Sequence, residues 1–209
     1  MPIISPERSK DRRDSILNAA TAAFARQGYE ATSISEIAAL AGVSDGLVYK
    51  YFANKRDLLD CALKAFYERV IGDLEREVRV GETFNARLTN LVRSHLGVFA
   101  NDPGLCRLFI SEVRVASDYA GSPIQLLNKR YSAILVRLVR EGIASREVRD
   151  GIDPRLVRDV LFGAIEHVAW RRITTQTSLD YDRLAQQIAD IVVSGIASDL
   201  PSRRRVQAS

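Results

Sequence analysis

Cysteine is scarce in these 209 residues: there are two, Cys61 and Cys106. Two thiols cannot make a disulfide framework, and both lie in apolar helical patterns without metal-ligand spacing, so buried reduced thiols are expected. Histidine is as rare, with His95 and His167 only, and no Cys, Asp or Glu spacing around them completes a metal set. There is no glycine-rich phosphate loop, no His-Glu-x-x-His and no Ser/His/Asp or Cys/His pairing in motif context, so no catalytic residue and no resident cofactor is assigned. No apolar run approaches the roughly 18 residues of a membrane span. The opening "MPIISPERSKDRRD" also lacks the apolar stretch of a signal peptide, and the expected location is cytoplasmic. Alternating strand patterns and Asn-Gly hairpin signals are missing, which argues against a sheet.

What is present is helical periodicity. Hydrophobic residues make up 46% of the chain, enough for a substantial core. The net charge of +4 hints at an anionic partner, but residues 1–60 hold eight Lys/Arg against eight Asp/Glu. Any nucleic-acid contact there must come from where the cations sit. The tail carries Arg203, Arg204 and Arg205 and reads as a frayed, solvated end.

Ile16, Leu17, Ala20, Ala23 and Phe24 form the inner face of a first helix that Gly28 stops. Ile34, Ile37, Ala38 and Ala41 follow the i, i+3, i+4, i+7 rule in a second, begun by the capping box Ser33-x-x-Glu36. Gly42 ends it and Ser44 caps a third almost at once. So short a connection forces the pair to cross steeply, as in a helix-turn-helix. Asn54 with Asp57 starts a long fourth helix bearing Leu59, Ala62, Leu63, Phe66, Val70 and Leu74 on one side. Further helices are expected near 83–100, 103–117, 122–145, 153–174 and 180–199, with Pro103, Pro123 and Asp153-Pro154 marking starts. The predicted fold is all-α, of about nine helices. A three-helix head over 1–54 carries the helix-turn-helix, and a helical body follows over 55–209.

At about 100° per residue, Val48 and Phe52 point together toward the first two helices, while Gly46, Tyr49 and Lys50 gather opposite. Core packing accounts for the first pair and not for the second group. An α-helix fits the major groove of duplex DNA, and the second helix of such a pair supplies the reading face. Gly46 permits close approach, Lys50 reaches phosphate or guanine, and Tyr49 offers a ring to a thymine methyl. Tyr51 is intermediate in direction. Lys55, at a helix start, and the amide-rich turn at Thr32 and Ser33 suit phosphates. Asp45 is the awkward residue, because an acid beside a phosphate chain is repelled.

Residues 16–59, "ILNAATAAFARQGYEATSISEIAALAGVSDGLVYKYFANKRDLL", resemble the DNA-binding head of the tetracycline-repressor family of bacterial regulators. The likeness lies in Phe-Ala-x-x-Gly-Tyr, Thr-Ser-Ile-x-Glu-Ile-Ala, Ala-Gly-Val-Ser-x-Gly and Tyr-x-Tyr-Phe-x-x-Lys. Val48 stands where the family often has leucine. By position, the resemblance implies DNA contact by Thr32, Ser33, Ser44, Gly46, Tyr49, Lys50, Tyr51 and Lys55. It also implies a body that binds a small effector and forms a homodimer on a near-palindromic operator, most often as a repressor.

In the body, Leu161, Ile165 and Val168, then Val160 and Ala164, then Phe162, Ala169 and Ile173 make the eighth helix apolar nearly all round. A second copy can cover what its own subunit does not. With the stripe Leu184, Ile188, Ile191, Val192, Gly195 and Ile196 of the last helix, this gives a four-helix interface at Val160, Gly163, Ala164, Ile188, Ile191 and Gly195. Effector contacts are harder to place. His95 interrupts an apolar face, Glu166-His167 interrupts another, and Arg107 could meet an anion, each with an ordinary core or surface role as its rival. Residues 141–173 are similar to family members that govern fatty-acid degradation and respond to long-chain acyl-coenzyme A. That makes acyl-CoA the named candidate effector. The rivals are an architectural DNA-binding protein without inducer and an acyl-CoA-binding enzyme.

Overall fold

The computed structural model describes residues 6–175 and 180–197. Among these, nine α-helices follow one another: α1 (Pro6–Gln27), α2 (Ile34–Ala41), α3 (Asp45–Tyr51), α4 (Lys55–Glu77), α5 (Phe84–Asn101), α6 (Pro103–Leu108), α7 (Pro123–Ala144), α8 (Pro154–Thr175) and α9 (Tyr181–Ile196). The β-type pairing among the described residues is one isolated bridge, Val148 to Ala197. The fold is all-α, as expected. One helix is shorter than its periodicity suggests: α6 ends at Leu108 and continues as a π-helical turn, Phe109–Val113, instead of running to 117. The end of the last expected helix, with Arg203, Arg204 and Arg205, lies outside the described residues.

The chain divides into two compact units, Met1–Arg69 with Asp102–Asn128 and Val70–Asn101 with Lys129–Ser209. Helices α4 and α7 each contribute residues to both.

In the first unit the short helices hold because their ends are satisfied and one side is sealed. Ser33 accepts from the Glu36 amide at 3.1 Å, and Ser44 accepts from the Leu47 amide at 3.3 Å. Gly42, at φ 66°, closes α2, with its own amide bonded to Ala39 O and the Val43 amide to Ala38 O. The capping box at Ser33 is only half made. Glu36 turns its carboxylate to Arg26 at 2.5 Å and Gln27 at 2.6 Å, tying α2 to the end of α1 rather than to its own cap. A related pair forms at α4, where Asn54 accepts from the Asp57 amide and Asp57 reaches back past the cap to accept from the Ala53 amide, both at 2.9 Å. Ile16, Ala20, Phe24, Ile37, Val48, Phe52 and Leu58 are sealed in the core between these helices. Each large side chain there contributes about 1.5–3 kcal/mol by leaving water.

In the second unit α5 lies against α8 and α9. Leu88, Leu91, Val92 and Leu96 of α5, Leu161, Ile165 and Ala169 of α8, and Ala185 and Ala189 of α9 are fully enclosed. The small side chains of α9 set its close spacing. The Val148 bridge, extended by the Arg149 amide to Ile196 O at 3.0 Å, fastens the end of α9 to the loop after α7.

Helix α6 seats directly on the backbone of α1: a Cβ at Gly104 falls 2.2 Å from Ala25 O, whereas one at Gly97, inside α5, meets nothing within 4 Å. Gly104→Ala is therefore expected to destabilise the protein by about 2 kcal/mol through overpacking. Gly97→Ala is expected to stabilise it by roughly 0.5–1 kcal/mol through backbone entropy. Urea midpoints at constant slope check both.

Candidate functional site

Helix α3 has seven residues, and its rotation is fixed from one side. Val48 and Phe52 are buried, and the Arg13 guanidinium caps the Phe52 ring at 5.1 Å. The opposite face is left to solvent: Gly46 and Lys50 are exposed, and Tyr49 is 55% exposed. Among the described residues the side chains of Tyr49 and Lys50 make no hydrogen bond or ion pair. A Cβ at Gly46 would meet no atom within 4 Å beyond its chain neighbours and its own helix backbone. Ser33 and Ser44 are exposed caps whose hydroxyls accept an amide and keep their own protons to donate. Tyr51 is half-buried, with its hydroxyl 3.2 Å from that of Ser9 on α1. Asp45 is accounted for: Ser35 of α2 donates to its carboxylate, so the acid braces the helix pair.

Two of the expected DNA contacts are internal instead. Thr32 is 1% exposed and its hydroxyl donates to Gly28 O at 2.7 Å. The Lys55 ammonium donates to the carbonyls of Tyr29 at 2.9 Å, Thr32 at 3.1 Å and Glu30 at 3.4 Å, and lies 4.3 Å from the centre of the Tyr29 ring. Three carbonyls commit all three of its hydrogens, so Lys55 holds the turn between α1 and α2 rather than a phosphate. From the far side of that turn, Glu112 of the π-helical turn accepts from the Tyr29 amide at 2.9 Å. Arg107, expected as an effector contact, donates to Arg26 O at 3.2 Å and Ala25 O at 3.4 Å. It satisfies the carbonyls that α1 leaves open at its end. Sequence reading could not find this clamp, because its donors and acceptors lie more than 20 residues apart and meet backbone atoms that carry no residue-type signal.

In the second unit, His95 of α5 is half-buried, with Nδ1 2.6 Å from the Tyr131 hydroxyl of α7. Three rings surround its imidazole: Phe162 of α8 at 4.5 Å, Tyr131 at 5.4 Å and Phe99 at 5.4 Å between centroids. Burial among them lowers its pKa to about 4, against the opposing pull of Glu166. Glu166, one turn beyond Phe162 on α8, is half-buried. His167, the next residue on α8, is exposed. Helical spacing already puts Phe99 on the face of His95 and Phe162 on an apolar side of α8, but nothing in the sequence brings Phe162 or Tyr131 to the imidazole.

Part of the exposed surface of α8 is an apolar strip, with Asp159 beside it. Leu156 is 61% and Val160 58% exposed, with Gly163 and Ala164 open beside them. On α9, Ile191 is 74% exposed, Gly195 is open and Ile188 is half-buried. Cβ atoms at Gly163 and Gly195 meet nothing within 4 Å. Among the described residues no cluster of three or more His, Cys, Asp or Glu could hold a metal, and no helix is long and apolar enough to cross a membrane.

Residues 16–62 match the family model described as "Bacterial regulatory proteins, tetR family", and residues 81–196 match "Tetracyclin repressor-like, C-terminal domain". The chain belongs to the tetR family. Similar relatives include the fatty acid metabolism regulator protein of Bacillus subtilis, 31% identical over 87% of this chain and 93% of that protein. The HTH-type transcriptional repressor KstR2 of Mycolicibacterium smegmatis is 24% identical over 92% of this chain and 94% of its own. Among solved structures, the transcriptional regulator FadR from Bacillus subtilis in complex with stearoyl-CoA is 31% identical and superposes with a TM-score of 0.79, covering 88% of this chain and 98% of that one. These tetR relatives are transcriptional regulators.

The depressed pKa of His95 has a stability consequence. An unfolded histidine takes up its proton near pH 6.5, while the folded one stays neutral to about pH 4. Below 6.5 the unfolded chain binds more protons, so the contribution of His95 is complete above pH 6.5 and is lost as the pH falls through about 4. The slope reaches at most about 1.4 kcal/mol per pH unit. Urea unfolding between these limits is expected to show this extra loss in the wild type and not in His95→Phe.

Proposed function

We propose that this tetR-family regulator is a homodimeric repressor whose heads read a near-palindromic operator and whose grip is loosened by a long-chain acyl-CoA. One observation carries the DNA reading. A rigidly seated helix presents Tyr49 and Lys50 to solvent without internal partners, next to a glycine that no protein atom crowds. Ser33, Ser44 and Tyr51 flank that face as phosphate donors, and Thr32 and Lys55 support it from within. Residues 1–54 read DNA and 55–209 bind the effector and the second copy. The protein acts where the operator is, in the cytoplasm, as a regulator and not as an enzyme.

Two copies are required on physical grounds. One short helix covers only a few base pairs, whereas two heads about 34–36 Å apart read successive major-groove faces. The apolar side of α8 with Ile188, Ile191 and Gly195 of α9 supplies the surface for a two-fold contact, and the uncrowded Gly163 and Gly195 let the backbones approach. The effector class is supported by the 31% identity to the stearoyl-CoA-bound FadR over 88% of this chain. Such a ligand acts only through its differential affinity for two conformations. A coupling of about 1–3 kcal/mol changes operator affinity 5–150-fold.

Fluorescence anisotropy on the operator tests the reading. Tyr49→Ala and Lys50→Ala are each expected to weaken specific binding about tenfold, with Lys50→Ala also reducing the salt slope by about one charge. Saturating stearoyl-CoA is expected to weaken the wild type 5-fold or more. Unchanged affinity in both variants refutes the reading face, and an unchanged wild type with stearoyl-CoA refutes the effector. For the interface, Val160→Glu and Ile191→Glu are expected to give folded monomers in sedimentation. A persistent dimer in both contradicts the assigned face.

A further inference from the structure

The imidazole of His95 is enclosed enough by Phe99, Tyr131 and Phe162 to be held neutral, yet the residue retains accessible surface. The surface that it keeps is framed by aromatic rings of α5, α7 and α8. Neighbouring positions agree: Ser94 and Val98 on the same stretch of α5, and Phe162 and Glu166 on α8, are likewise half-buried. In this apolar surround the His95 to Tyr131 hydrogen bond, at 2.6 Å, is a polar couple with capacity left over, because a neutral imidazole bonded through Nδ1 still has Nε2 to offer.

We propose that Tyr131 donates to His95 Nδ1, fixing the proton on Nε2, and that this N–H is the recognition point for an uncharged carbonyl oxygen of the effector. In an acyl-CoA that oxygen is the thioester carbonyl. This deepens the effector reading above and rests on it. The chemistry also excludes a near relative of the ligand. A free fatty acid brings a carboxylate, which loses hydration among these rings, meets an imidazole that carries no positive charge, and is repelled by Glu166, whose negative charge already acts on His95. The site therefore accepts the activated, thioester form of an acyl chain and refuses the unactivated acid.

Calorimetric titration of the full-length protein separates these statements, using stearoyl-CoA, the thioether S-octadecyl-CoA that lacks only the carbonyl oxygen, and stearate. The wild type is expected to bind the thioester about tenfold more tightly than the thioether, as one buried hydrogen bond warrants, and stearate more weakly than either. Tyr131→Phe, which removes one oxygen, and His95→Phe are expected to bring the thioester down to the thioether's affinity while leaving the thioether unchanged. Glu166→Gln is expected to raise stearate affinity several-fold with little change for the other two. Equal binding of thioester and thioether by the wild type overturns the assignment of His95 while leaving the acyl-CoA reading intact. Discrimination that survives in both aromatic variants does the same. Absence of binding by either CoA compound defeats the effector reading and this inference together. Thermal unfolding of Tyr131→Phe and Glu166→Gln, both near-isosteric, confirms that the comparison is made between folded proteins.

Discussion

Burial of Val48 and Phe52 is the constraint on which the proposed DNA-reading face depends. A seven-residue helix cannot persist in water by its own hydrogen bonds, since nucleation costs more than two turns return. Helix α3 exists because one side is pressed into a core with Ile16, Phe24 and Ile37, all essentially inaccessible. The same contact that makes the helix stable sets its rotation. With Val48 and Phe52 turned inward, Tyr49 and Lys50 have no choice but to face outward. Stability and presentation are one event in this head, and no separate device is needed to orient the reading side chains.

The turn before α2 is held by charge rather than by apolar burial. Lys55 gathers three carbonyls, Arg107 gathers two at the end of α1, and Glu112 takes the Tyr29 amide. These are charge-assisted bonds to backbone, stronger than neutral ones and directional. They fix the entry to the reading unit from two sides, one of them the π-helical turn. Its wider ring shifts the helix face so that Phe109 meets Tyr67 edge-on at 5.6 Å while Glu112 reaches the turn.

Legibility in the sequence tracks how local the signal is. Helix starts at Ser33, Ser44, Asn54 and Asp153 were readable because a cap is a rule about neighbours three residues apart, and Gly28 and Gly42 were readable as stops. The inward and outward faces of α3 followed from period alone. What could not be read were side chains whose partners are distant backbone atoms. Lys55 and Arg107 look like surface cations from their neighbours, yet both donate to backbone carbonyls of the first unit. Asp45, awkward beside DNA, is explained by Ser35 in the preceding helix, a contact that no spacing rule announces. The aromatic enclosure of His95 draws on three helices and emerged only when α5, α7 and α8 were placed.

The emptiness around Gly46 bears on how such a protein changes its target. With no atom beyond its own helix backbone and chain neighbours within 4 Å of where a side chain would begin, a substitution there hardly touches the fold, and on the proposed reading face it would be felt by the base pairs. Most positions tie a gain in selectivity to a cost in folding, because the same atoms serve both. At this one the two are uncoupled, so under the proposed reading operator preference can be re-engineered through a single residue without eroding the scaffold that carries it.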